Sequence, residues 1–119
     1  MELTYSDLAD GIRKIDLVGR LDLEGALAID LRFTALAATY QSFVIVDLAG
    51  VEFLGSMGMA TLIRNAKSAA LRGGNLVLLN PRPNVAQALA SARIDQVLPV
   101  CATLEAAQAA VRAARPWPT

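Results

Sequence analysis

Histidine is absent from all 119 residues, which removes Ser-His-Asp and Cys-His catalysis together with the common zinc sites. A single cysteine, Cys101, leaves no internal disulfide to form and fits a reducing compartment. Aromatic residues are only 5% of the chain, and no long basic run accompanies them. Nucleic acid is therefore not an expected partner. Eleven basic and eleven acidic residues cancel to zero formal charge. The apolar stretches fall far short of the ~20 residues that a membrane span needs. No basic segment precedes a long apolar one near the N-terminus, so no export signal is expected. The phosphate-loop pattern Gly-x-x-x-x-Gly-Lys and the dinucleotide pattern Gly-x-Gly-x-x-Gly are both missing. Asp7 with Asp10, and Asp22 with Glu24, are close carboxylates, but their spacing suits solvated turns and helix starts. These absences lead to the expectation of a soluble, cytoplasmic domain, neither an enzyme nor a carrier of metal or cofactor.

Apolar residues, by contrast, make up 55% of the chain, enough to bury a core at this length. One domain is expected over residues 1–114, followed by a frayed tail, Arg115-Pro116-Trp117-Pro118-Thr119. Leu3–Ser6 and Ile12–Val18 read as strands joined by the turn signal Asp10-Gly11. In the second strand Ile15 and Leu17 alternate with Lys14 and Asp16, so one face is buried and one is wet. A helix is expected from about Leu23 to Tyr40, and it carries two apolar stripes. Leu23, Leu27, Leu31 and Ala35 form one; Ile29, Phe33, Leu36 and Tyr40 form the other. One must face the sheet and the other is open to a neighbour or a partner; the sequence does not distinguish them.

Phe43–Leu48 and Leu76–Leu79 are nearly continuous apolar runs, the pattern of strands covered on both faces. The helix between them, from about Met57 to Arg72, sets Met59, Leu62, Ile63, Ala66, Ala69 and Ala70 on one stripe. Gly73-Gly74 is its stop signal. This strand–helix–strand unit is expected to be a right-handed parallel crossover. A short helix over Asn84–Ala92 and an edge strand over Val97–Cys101 follow, the strand interrupted by Pro99. A last helix is expected to be capped by Thr103, with Glu105 in its first turn and Arg112 in its last. The expected class is α/β, a mixed sheet of four to five strands with about four helices.

Phe53-Leu54-Gly55-Ser56-Met57-Gly58 is the most informative segment. A serine between glycines, where a buried strand hands over to a helix, sits on a tight turn. Its hydroxyl can be a helix N-cap. The same place also suits a phosphate, because free N–H groups and the positive end of the helix dipole face it. Both readings of Ser56 remain open from the residues. Asp47, placed at the end of a buried strand, invites comparison with a receiver's phosphoacceptor aspartate. The acidic pair and the late lysine that receivers need are not evident, so Asp47 reads as structural.

Three segments carry a resemblance to a family. They are Leu17-Val18-Gly19-Arg20-Leu21-Asp22, then Val44–Leu48 through Phe53–Gly58, and finally Ile94–Val100 with Thr103-Leu104-Glu105-Ala106-Ala107. In this order and spacing the chain resembles the STAS domain of bacterial anti-sigma factor antagonists, from about residue 3 to residue 113. The family pattern at the second segment is Asp-Ser-Ser-Gly or Asp-Ser-Thr-Gly. Ser56 matches the phosphorylated serine, Gly55 replaces the usual acid, and Met57 replaces the second hydroxyl residue. Asp22 matches an acid that lies close to that loop.

The resemblance implies a STAS fold and a phosphorylation-switched module that sequesters an anti-sigma factor and so releases a sigma factor. The implied partners are an anti-sigma factor of the GHKL serine kinase type and a PP2C-type phosphatase. Rival roles within the same fold are a subunit of a phospholipid-transport ATPase complex and a member of a signalling scaffold. The surface expected to meet the partner is made of Asp22, Gly55, Ser56, Met57 and Gly58. Thr61, Arg64 and Ser68 continue it as an outward row with Met57 on the following helix.

Overall fold

The computed structural model describes residues 1–38, 41–113 and 117. Strand β1 (Glu2–Asp7) turns through a 3₁₀ segment at Ala9–Gly11 into β2 (Ile12–Leu21). Asp10 and Gly11 both have positive φ, 64° and 73°, which explains the Asp-Gly pair at this turn. Then come α1 (Leu23–Ala37), β3 (Phe43–Leu54), α2 (Ser56–Leu71), β4 (Asn75–Leu79), α3 (Pro83–Ser91), β5 (Val100–Cys101) and α4 (Leu104–Arg112). The five strands form one sheet in the order β1-β2-β3-β4-β5. The β1–β2 pair is antiparallel and the other three pairs are parallel. Among the described residues no helix is long and apolar enough to cross a membrane.

The sheet separates two cores. Val44, Val46, Leu48, Leu76 and Leu78 point to the side of α1, α2 and α3. Ile12, Ile45, Val77 and Leu79 point to the other side, where Ala107 and Val111 of α4 cover them, with Leu8, Leu104 and Ala110 packed beside. The continuous apolar runs Val44–Val46 and Leu76–Leu79 follow directly, since both faces of the sheet are covered there. Asn75 at the start of β4 anchors α4 by donating to the terminal carbonyls of Ala110 and Ala113, at 3.2 and 3.1 Å.

Several expectations hold at the level of single caps. Thr103 accepts from the Ala106 N–H at 3.2 Å and starts α4, with Glu105 and Arg112 in its first and last turns. Gly73, with φ of 83°, ends α2; the Gly74 N–H reaches Ala69 O and the Gly73 N–H reaches Ala70 O.

Other expectations need correction. Strand β3 runs on to Leu54, so Asp47 lies in mid-strand and not at its end. There it pairs with Lys14 Nζ at 3.1 Å and accepts from the Ala49 N–H. The edge strand is only Val100–Cys101, because Ile94–Gln96 forms a 3₁₀ turn that Val97 ends. In α1, where the sequence left the choice of stripe open, Ile29 and Phe33 are buried with Leu36 packed beside them, and Leu23, Leu27 and Leu31 face outward. The end expected for this helix at Tyr40 lies outside the described residues. So does the expected tail, apart from Trp117, which is half-buried and packs against the larger core.

Candidate functional site

Parallel pairing brings the carboxyl ends of β2 and β3 side by side, Leu21 opposite Leu54. Each strand there hands over to a helix, so the N-termini of α1 and α2 lie together. The Gly55 N–H donates to Leu21 O at 3.0 Å and ties the two handovers to each other. Asp22 caps α1 by accepting from the Gly25 N–H at 2.9 Å. That backbone N–H, with help from the Arg20 guanidinium, holds the Asp22 carboxyl below the usual carboxylate range.

Gly55 is the N-cap of α2, and Ser56 is the first residue inside the helix. The plain N-cap reading of Ser56 is therefore replaced: no side chain caps this helix. The Ser56 side chain is exposed and engages no partner among the described residues. Its hydroxyl stands at the positive end of a sixteen-residue helix whose first N–H groups are uncapped.

The glycines on either side of this serine serve different ends. A Cβ on Gly58 would lie 2.4 Å from Leu21 O and 2.6 Å from Leu21 Cγ. Gly58 is buried, and its lack of a side chain lets α2 rest directly on the end of β2. It is a packing residue, which corrects its expected place on the partner surface. Gly55 has extended backbone and would bring a Cβ to 3.1 Å from the edge of the Phe53 ring.

The outward row on α2 is also corrected. Thr61 is buried, 4% exposed, and its hydroxyl donates back to Met57 O. Neighbouring Asn65 is buried as well, donating to Thr61 O. Ser68 is only half-buried. The face left open consists of Ser56, Met57, Ala60, Arg64, Lys67 and Leu71, and Met57 is 47% exposed. The solvent-facing arc is thus rotated by roughly one position from the expected one, because neighbouring α1 packs against one flank of α2. Arg64 reaches across to Asp30 of α1.

Arg20 and Phe53 went unnoticed as site residues. They are register partners on β2 and β3, and the Arg20 guanidinium stands 4.5 Å from the Phe53 ring centroid. Its Nε is 3.5 Å from the Asp22 carboxylate. Only the strand register brings them together, and no local motif announces it. Arg20, Asp22, Glu24 and Glu52 line an open cleft of about 410 Å³ beside the loop.

The profile of the STAS domain family matches residues 7–107. The chain belongs to the STAS domain family. Among curated proteins, this STAS domain is 28% identical over 116 residues to BtrV of Bordetella bronchiseptica, named as a candidate anti-sigma factor antagonist. That match covers 98% of this chain and 99% of the relative. Among solved structures, an anti-sigma factor antagonist from Mycobacterium paratuberculosis superposes with a TM-score of 0.82 at 25% identity, covering 94% of each chain. The Bacillus cell fate determinant SpoIIAA in its phosphorylated form shares the fold, with a TM-score of 0.67 and 21% identity. It covers 93% of this chain and all of that one.

Proposed function

We propose that this STAS domain is an anti-sigma factor antagonist whose complex is switched by phosphorylation of Ser56. The observation that carries the reading is the position of Ser56: exposed, without a hydrogen-bond partner among the described residues, and first in α2. The unphosphorylated protein binds an anti-sigma factor of the GHKL serine kinase type, which frees the sigma factor. That kinase inactivates the antagonist at Ser56, and a PP2C-type phosphatase restores it. The protein is a substrate of enzymes and a binding partner, with no chemistry of its own.

The physics suits such a switch. A phosphate adds roughly −1.5 to −2 charges at neutral pH. On the free protein the helix dipole and the uncapped N–H groups stabilise it by ~0.3–2 kcal/mol. Inside a close interface the same group must be desolvated or must face the partner's acidic groups, at a cost of several kcal/mol in affinity, about 2–5. The fold tolerates the modification and the complex does not. Gly55 and Met57 flank the acceptor in place of the family's acid and second hydroxyl, so the cognate kinase is one that reads this altered loop.

Incubation with the cognate kinase and ATP, followed by phosphopeptide mapping, tests the reading. The label is expected within 53–64, on Ser56, and is expected to vanish in Ser56→Ala. Ser56→Asp is expected to fold normally and to bind the anti-sigma factor more weakly than wild type. Undiminished labelling of Ser56→Ala would sink the assignment.

A further inference from the structure

The outward stripe of α1 is not used by the proposed switch, and no described residue covers it. Leu23, Leu27 and Leu31 are 53%, 68% and 86% exposed, and they stand one turn apart in a single i, i+4 row. Scattered exposed leucines are ordinary, but three in one row make a contiguous apolar ridge. Beside it runs a second i, i+4 row of exposed residues: Glu24, Ala28 and Arg32. It carries an acid at one end, a base at the other, and a methyl group between them. Neither Glu24 nor Arg32 forms an ion pair among the described residues, although α1's remaining acid, Asp30, is taken by Arg64.

We infer that this face of α1 is a self-association surface whose occupant is the same face of a second copy, packed antiparallel about a two-fold axis near Ala28. The charge pattern selects that occupant. Glu24 and Arg32 each lie four residues from Ala28, about 6 Å along the helix in opposite directions. An antiparallel two-fold pairing sets Glu24 of each copy against Arg32 of the other, twice, whereas a parallel pairing sets Glu24 against Glu24. Ala28 lets the two backbones approach at the centre, and the leucine ridge of each copy fills the groove beside the other's ridge. The helix dipoles also oppose each other in that arrangement. A fifteen-residue helix is only about 22 Å long. One helix face against another falls below the usual ~1,200–2,000 Å² of a stable interface, so the dimer is weak and concentration-dependent.

Sedimentation velocity between about 10 µM and 1 mM protein tests this without reference to Ser56 or to any kinase. The wild type is expected to move from monomer toward twice the monomer mass across that range. Leu27→Glu is expected to weaken self-association at least tenfold while keeping its circular dichroism spectrum. Arg32→Glu alone is expected to weaken it as well, and Glu24→Arg combined with Arg32→Glu to restore it. A wild type that stays monomeric throughout overturns the inference, as does a Leu27→Glu variant that associates like wild type. Failure of the double reversal to recover the dimer overturns the two-fold pairing. If Leu27→Glu instead lowers affinity for the anti-sigma factor and leaves self-association unchanged, the ridge belongs to that partner and the inference fails.

Discussion

Gly55 and Gly58 stand three residues apart and face opposite constraints. A Cβ at Gly58 meets a backbone carbonyl and the core side chains of Leu21 and Leu54, none of which can retreat without moving β2 or β3. Gly58→Ala is expected to destabilise the protein by about 1–3 kcal/mol, the range for overpacking a tight site. A side chain at Gly55 meets the edge of Phe53, which is 39% exposed, and at an ordinary contact distance of 3.8 Å the Asp22 Cα. Gly55→Asp restores the family's acid at an N-cap position that favours it, so stability is expected to stay within ~0.5 kcal/mol or to rise slightly. Urea denaturation of the two variants checks the contrast. Equal losses would mean that the Phe53 edge is as rigid as the backbone of β2.

Helix α2 presents two kinds of residue at the open end of the site. Met57 is half-exposed, belongs to neither core, and is an adaptable contact residue. Arg64, by contrast, is engaged with Asp30 in an exposed ion pair of the kind worth ~0–1 kcal/mol. Met57→Asp is expected to weaken the complex with the anti-sigma factor by more than ~1 kcal/mol and to leave the free protein within ~0.5 kcal/mol of wild type. Arg64→Glu is expected to weaken the complex similarly, and it also sets two acids together across α1 and α2. A small stability loss, under ~1 kcal/mol, therefore accompanies it. Calorimetry beside thermal melts separates the two effects. Wild-type affinity in both variants would move recognition to the loop around Asp22.

At the scale of the whole molecule, α4 covers only part of its side of the sheet, and on this face of β2 and β3 an ionic cluster takes the place of apolar packing. Lys14 on β2 bonds Asp16 at 2.6 Å and Asp47 of β3 at 3.1 Å. Burial pushes the Lys14 ammonium down, but its bonds to the two carboxylates outweigh this and raise it above the ordinary lysine value. A raised folded-state value means that the stabilisation is complete below the unfolded lysine value of ~10.4 and is lost as pH rises through the folded one. Lys14→Met leaves Asp16 and Asp47 facing each other in register. It is expected to cost about 1–2 kcal/mol at neutral pH, with a deficit that narrows as pH is raised past ~10.4. Chemical denaturation at a series of pH values reads this directly. A deficit that stays flat up to high pH would remove the charge from the account.

Local chemistry made much of this legible before any tertiary contact was known. Apolar runs without alternation marked β3 and β4, Gly73-Gly74 and Thr103 marked helix ends, and Asp10-Gly11 marked the hairpin turn, because caps and turns are settled by residues a few positions apart. The strand-to-helix handover at Ser56 was visible for the same reason. Four things were decided only by neighbours distant in sequence. Which stripe of α1 is dry depended on where the sheet lay. The burial of Thr61 depended on the side from which α1 approaches α2. The role of Gly58 depended on the Leu21 carbonyl beneath it. The stacking of Arg20 on Phe53 depended on the β2–β3 register. Periodicity shows that a helix has faces; only the packed molecule chooses which of them meets water, because burial is a property of two surfaces and the sequence writes them far apart.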